Sequence, residues 1–173
     1  MATMQEQEKI NIEKQKLNAL LEITNAVNKN YKISDLLIQF ESVMKEHIGI
    51  SKLAFISNRK NWSCILKYGV SNNCNDFNIE KMLSIKETSL LQDTNLDEFV
   101  GFDLIMPVFH KEKPLSYLLI GGITQESMLG FIQSHVGFVQ TLANVVSVAI
   151  ETKTLAKKLW TKKLEEKDMA MAA

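Results

Sequence analysis

FDLIMPVFHKEKPLSYLLIGG, residues 102–122, decides the fold. Phe102–Phe109 is apolar at nearly every position, as a strand covered on both faces must be. Pro107 has no N–H to give to a ladder, so the sequence puts it at an edge or a bulge. His110–Pro114 supplies the turn, and Leu115–Gly121 returns as a second strand that stops at Gly121–Gly122. Strands joined by so short a turn run antiparallel.

On the C-terminal side the period changes. Gln125–Lys167 reads as one long helix, uncharged from Ser127 to Ile150 and charged at nearly every turn from Glu151 onward. Leu142, Val145, Ala149, Thr152, Ala156 and Leu159 recur at alternating spacings of three and four, the spacing of a seam between two helices. The uncharged run raises a membrane-spanning reading. Against it, Gln133, Gln140, Asn144 and Ser147 fall on one face, too polar for lipid, so a helix half buried on a sheet is expected. Such a helix belongs to a domain at one end and to something else at the other.

On the N-terminal side, Ile85–Leu91 predicts a weak strand and Ile79–Leu83 a short helix, with loops at 69–76 and 92–99. Ile50–Ser57 and Trp62–Tyr68 alternate around the turn Asn58–Asn61, a second hairpin that puts Cys64 on one face with Trp62, Leu66 and Tyr68. Before it, Leu36, Leu37, Phe40, Val43, Met44 and Ile48 form the apolar face of a helix, with Ser34 as expected N-cap and Gly49 as stop. Ile10–Asn28 is a further amphipathic helix, and its stripe of Ile10, Glu13, Leu17, Leu20, Thr24 and Val27 repeats the three-four spacing of the other terminus. The fold class is therefore α+β: an antiparallel sheet of five to six strands with N-terminal and C-terminal helices packed on it. The expected division is a dimerisation helix over 1–33, a core over 34–127, and a long helix and linker over 128–173.

Composition narrows the function. Twenty basic and twenty acidic residues cancel, leaving no overall field to hold nucleic acid. Met1–Lys9 lacks the apolar run of a secretion signal, and two cysteines fit a reducing compartment, so a cytoplasmic protein is expected. No GxGxxG or GxxxxGK[ST] cradles a phosphate, and no HExxH or CxxC pairs ligands. His47, His110 and His135 are far apart, so no metal, cofactor or catalytic residue is expected. The lysines Lys153, Lys157, Lys158, Lys162, Lys163 and Lys167 sit among Glu151, Glu165, Glu166 and Asp168, the mixed charge of a solvated coiled-coil flank.

Two stretches carry a family likeness. LNALLEITNAVNKNYKISDLLIQFESVMKEHIGISKLAFI (residues 17–56) and the opening hairpin (residues 102–122) resemble the matching parts of GAF domains, small-molecule sensory modules of bacterial and eukaryotic signalling proteins. The likeness covers Leu17–Ala156. It implies an unidentified small-molecule ligand between the sheet and residues 69–100, faced by Phe55, Cys64, Tyr68, Phe77, Met82, Leu91, Phe99 and Phe102. The same side chains also read as ordinary core. Asn95, Asp97, Glu98 and Phe99 share letters with the cyclic-nucleotide signature of the family, in the wrong order, so no cyclic nucleotide is expected. The tail KKLWTKKLEEKDMAMAA looks like the linker into SpoIIE-type serine/threonine phosphatase domains, which implies an effector domain in the same chain.

Two functions follow as expectations. The first is a non-enzymatic regulatory module, with no nucleic-acid or membrane partner. It forms a homodimer through Leu17, Leu20, Thr24 and Val27 of the first helix and Leu142, Val145, Ala149, Ala156 and Leu159 of the last. The alternative is a thiol redox enzyme or sensor using Cys64 and Cys74.

Overall fold

The computed structural model describes residues 3–71 and 73–172. The chain opens with α1 (Met4–Asn28), which starts six residues before the apolar stripe does. Thr3 explains the early start: its hydroxyl accepts the Glu6 N–H and the Glu6 carboxylate accepts the Thr3 N–H, a capping box written in the sequence as Thr-x-x-Glu. After Asn30, which takes a left-handed φ of 58°, α2 (Ile33–Ser42) begins with Lys32 as its N-cap. Ser34 therefore lies inside the first turn and caps nothing, a correction to the sequence reading. The helix widens into a π-type turn at Val43–Ile48 and ends at Gly49, whose φ of 78° suits glycine. The Ile50 N–H then reaches back to the Met44 carbonyl at 2.9 Å, closing the helix end.

The sheet has five antiparallel strands: β1 (Lys52–Asn58), β2 (Trp62–Tyr68), β3 (Ser89–Leu90), β4 (Leu104–His110) and β5 (Lys113–Gly121). Their order across the sheet is β2-β1-β5-β4-β3. The strand expected over Ile85–Leu91 shrinks to two residues, and α3 (Ile79–Leu83) precedes it. Pro107 pairs with Tyr117 of β5 and lies past the end of β3, on a flank with no neighbouring strand. That is where a residue without an N–H is tolerated.

The sheet alternation sends successive residues to two different cores. Leu53 and Phe55 of β1, Met106 of β4 and Leu118 of β5 meet Phe40, Met44, Val139 and Leu142 on the helical side. Ala54, Ile56, Ile105, Tyr117 and Leu119 meet Met82, Leu91, Leu96 and Phe99 on the other. The long C-terminal helix is divided into α4 (Gln125–Phe131), a π-type turn at Ile132–Val136 and α5 (Gly137–Ala172). The buried Lys16 ammonium donates to the Ser134 carbonyl at 2.6 Å within that turn. Lys153 donates to the Asn30 side chain further along, so α1 and α5 lie side by side and run the same way.

Candidate functional site

The compartment between the sheet and residues 69–100 is filled. Met82 is 0% exposed, Leu91 7%, Phe99 5% and Phe102 8%. Walls of a void large enough for a ligand would keep surface open to water, and these keep almost none. Phe77 and Phe99 close the outer layer with ring centroids 6.1 Å apart.

Two of the eight expected ligand-facing residues point away from this compartment altogether. Phe55 packs edge-on to Phe40, 5.3 Å between centroids, on the helical side. Tyr68 also joins the helical side, and its hydroxyl donates to the Ile50 carbonyl at 2.9 Å. Phe55 simply follows the alternation of β1, on the same face as Leu53. For Tyr68 the cause is a bulge in β2: Phe55 pairs with Leu66 while its neighbour Ile56 pairs with Cys64, leaving Ile65 over. One extra residue inverts the alternation. Trp62 and Cys64 therefore face the segment 69–100, whereas Leu66 and Tyr68 face the helices. The single face expected for these four residues does not exist.

The loop after β2 folds back so that Cys64 and Cys74 line the same small hollow, with the Cys64 thiol donating to the Leu66 carbonyl at 3.4 Å. Asn75 fixes the loop by accepting the Cys64 N–H at 2.7 Å. Cys74, expected at the surface, is 3% exposed. Burial pushes the Cys64 thiol up to about 11, and the charge that Cys74 would carry adds to the effect. Burial also raises Cys74, with Lys67 opposing. Both thiols are held protonated near neutrality, so neither is a ready nucleophile.

The helices carry the remaining features. Leu142 is 0% exposed and Ala149 6%. Leu142 is spent on the sheet core, and Ala149 on Ala26 and Leu36, so neither is open to a second copy as expected. Leu20, Thr24, Val27 and Val145 are half-buried. Leu17, at 56%, and Leu159, at 62%, are open, as is Ala156. The exposed apolar lines are Ile10, Leu17, Leu21 on α1 and Val148, Leu155, Leu159 on α5. Each repeats at seven and then four; they keep Ile10, Leu17 and Leu159 of the expected seams and add Leu21, Val148 and Leu155. A three-four period fits neighbouring registers about equally well, so the spacing alone did not select the open one. From Leu155 to Ala172 every residue of α5 is exposed.

Among the described residues no group of three His, Cys, Asp or Glu side chains is placed to hold a metal ion. No described helix is long and apolar enough to cross a membrane.

No protein-family model matches the sequence, and no curated protein matches it either. Solved structures do. The NLH2 GAF domain of A. aeolicus, in an inactive state, is 13% identical over 82% of this chain and 99% of its own, with a TM-score of 0.58. A GAF domain assigned to a sensor histidine kinase of Pseudomonas syringae pv. tomato is 9% identical over 90% of this chain and 97% of its own, TM-score 0.59. The GAF domain of an Acinetobacter phosphoenolpyruvate-protein phosphotransferase is 13% identical over 83% and 98%, TM-score 0.57. At these identities the likeness is one of backbone architecture.

Proposed function

We propose that this chain, which has the GAF fold, is a cytoplasmic regulatory module of a signalling protein, passing changes of helix packing through α5 to an effector. The observation that carries the reading is the divided character of α5. Its first half is cemented to the sheet through Val139, Leu142, Val146 and Ile150, and its last 18 residues, 155–172, touch nothing that covers them. A lone helix of that length is marginal in water. A second copy stabilises it, by joining the Ile10–Leu17–Leu21 and Val148–Leu155–Leu159 lines of two parallel chains. Two packings of such a bundle that differ by about 1–3 kcal/mol are enough for a modest signal to shift the balance. The GAF domains of similar fold, one assigned to a sensor kinase and one within a phosphotransferase, support the regulatory reading.

The effector in this reading is a protein serine/threonine phosphatase in the same chain, on the resemblance of residues 157–173. Sedimentation tests the assembly: a dimer at micromolar concentration that Leu17→Lys with Leu159→Lys drives to monomer. A wild-type chain that stays monomeric throughout sinks the bundle. The full gene product tests the effector, by hydrolysis of a phosphoserine peptide that changes when Leu159→Lys disrupts α5. An effector that transfers phosphate to protein instead removes the phosphatase.

The placing of Cys64 and Cys74 on one hollow favours a second reading, a thiol pair that records oxidants. Peroxide would convert one thiolate to a sulfenic acid with loss of hydroxide. The other thiol would then displace water to leave a disulfide. Because both thiols are held protonated, the expected bond forms slowly near pH 7 and faster as pH rises. Mass spectrometry after peroxide treatment at pH 9 that finds both thiols intact ends this reading.

A further inference from the structure

We propose that the groove where α5 leaves the domain binds a small ligand carrying two or more phosphate groups. The groove encloses about 980 Å³, the size of a small-molecule site. Lys32 at the head of α2 and Arg59 and Lys60 of the β1–β2 turn line its inner walls. Lys153, Lys157, Lys158 and Lys162 line the α5 wall, and Glu165 at the far end is its one carboxylate. Seven cations from three elements thus share one cleft in a chain of zero net charge. None of them belongs to an ion pair among the described residues. Bringing seven like charges together destabilises the apo state, and a polyanion removes that repulsion.

The inner wall has donors in fixed positions. The Arg59 Nε–H is buried without an acceptor, although the rest of that side chain reaches the groove. The first turn of α2 has no side-chain cap, and its first internal bond is from the Leu36 N–H to the Lys32 carbonyl. The N–H groups of Ile33 and Ser34 therefore have no helical acceptor and carry the positive end of the helix dipole. Asp35 also sits in that turn but is not part of the groove lining.

The lining also argues against larger partners. Ile33 is its one apolar side chain and the remaining apolar surface is lysine and arginine stem, so a protein partner would find no aromatic pocket or cluster of aliphatic anchors. It contains no aromatic ring on which the bases of a single-stranded nucleic acid would stack. Seven cations with fixed amide and guanidinium donors suit a compact phosphate chain. The site lies across the sheet turn, α2 and α5, away from the filled compartment. Lys157, Lys158 and Lys162 belong to the stretch that the proposed bundle stabilises, so its outer wall rests on that reading, which sedimentation tests separately.

Calorimetry on the full 173-residue chain with inorganic tripolyphosphate tests it. Wild type binds; Arg59→Gln with Lys157→Gln weakens binding roughly tenfold or more. Lys14→Gln with Lys111→Gln, the same charge change at exposed positions outside the groove, binds as wild type. Should the first pair fail to fold, Lys60→Gln with Lys158→Gln, both exposed in the groove lining, gives the same loss. A nucleoside triphosphate that binds more tightly than tripolyphosphate assigns the ligand to nucleotides, and equal binding assigns it to free polyphosphate. No measurable binding, equal losses in the control pair, or tighter binding of poly-glutamate or an RNA oligomer would each overturn the proposal.

Discussion

Tyr117 shows how much one residue's burial sets the chemistry around it. Its ring is 0% exposed, stands 5.6 Å from the Trp62 ring, and its hydroxyl reaches the Ile85 carbonyl at 3.3 Å. Burial pushes its pKa to about 12 from an ordinary 10.0, as it pushes Cys64 to about 11 from 9.0. Both groups keep their protons longer folded than unfolded. Their contribution is therefore complete below about pH 9 and is lost as pH rises through 11 and 12. Urea midpoints measured from pH 8 to 12 should fall from pH 9 upward, and Tyr117→Phe with Cys64→Ala should flatten the fall. A wild-type midpoint that holds constant to pH 11 contradicts the burial of both groups.

Among the elements, the β4–β5 hairpin is the one whose local sequence disagrees with its shape. Its two turn residues, Lys111 and Glu112, have φ of 49° and 67°, a conformation that tight hairpin turns require and that Asn-Gly provides with least strain. The pairing of β4 with β5 and the packing of Leu115, Leu118 and Ile120 impose it. Replacing the pair by Asn-Gly should stabilise the protein by about 1–2 kcal/mol, read as a higher thermal midpoint. An unchanged midpoint means the turn is not held as described. On the α5 side of the same sheet, Gln140 donates to the Pro107 carbonyl at 3.2 Å, and the Ser116 and Ser147 hydroxyls meet at 2.6 Å. These two contacts tie β4 and β5 to α5 through paired polar groups.

At the scale of the whole molecule, α5 does two jobs with two sets of residues, and substitution separates them. Leu142→Ala opens a cavity in the helical-side core and should cost about 2–5 kcal/mol of stability in a chemical unfolding curve. Leu159→Lys changes an exposed position and should leave that curve within about 0.5 kcal/mol when measured on the monomer, while weakening self-association. Loss of folding stability at Leu159 as large as at Leu142 would mean that the end of α5 packs on its own domain. The α+β class, the two hairpins, the Gly49 stop and the order of elements were legible from residue pattern, because periodicity and turn chemistry are local. The extra turns at the start of α1 were also written, in Thr3 and Glu6. Only tertiary structure decided the rest. The bulge at Ile65 sends Tyr68 to the helical side, the loop after β2 buries Cys74 against Cys64, and the core claims Leu142 and Ala149. In each case the sequence allows two faces, and the choice falls to contacts between segments distant along the chain.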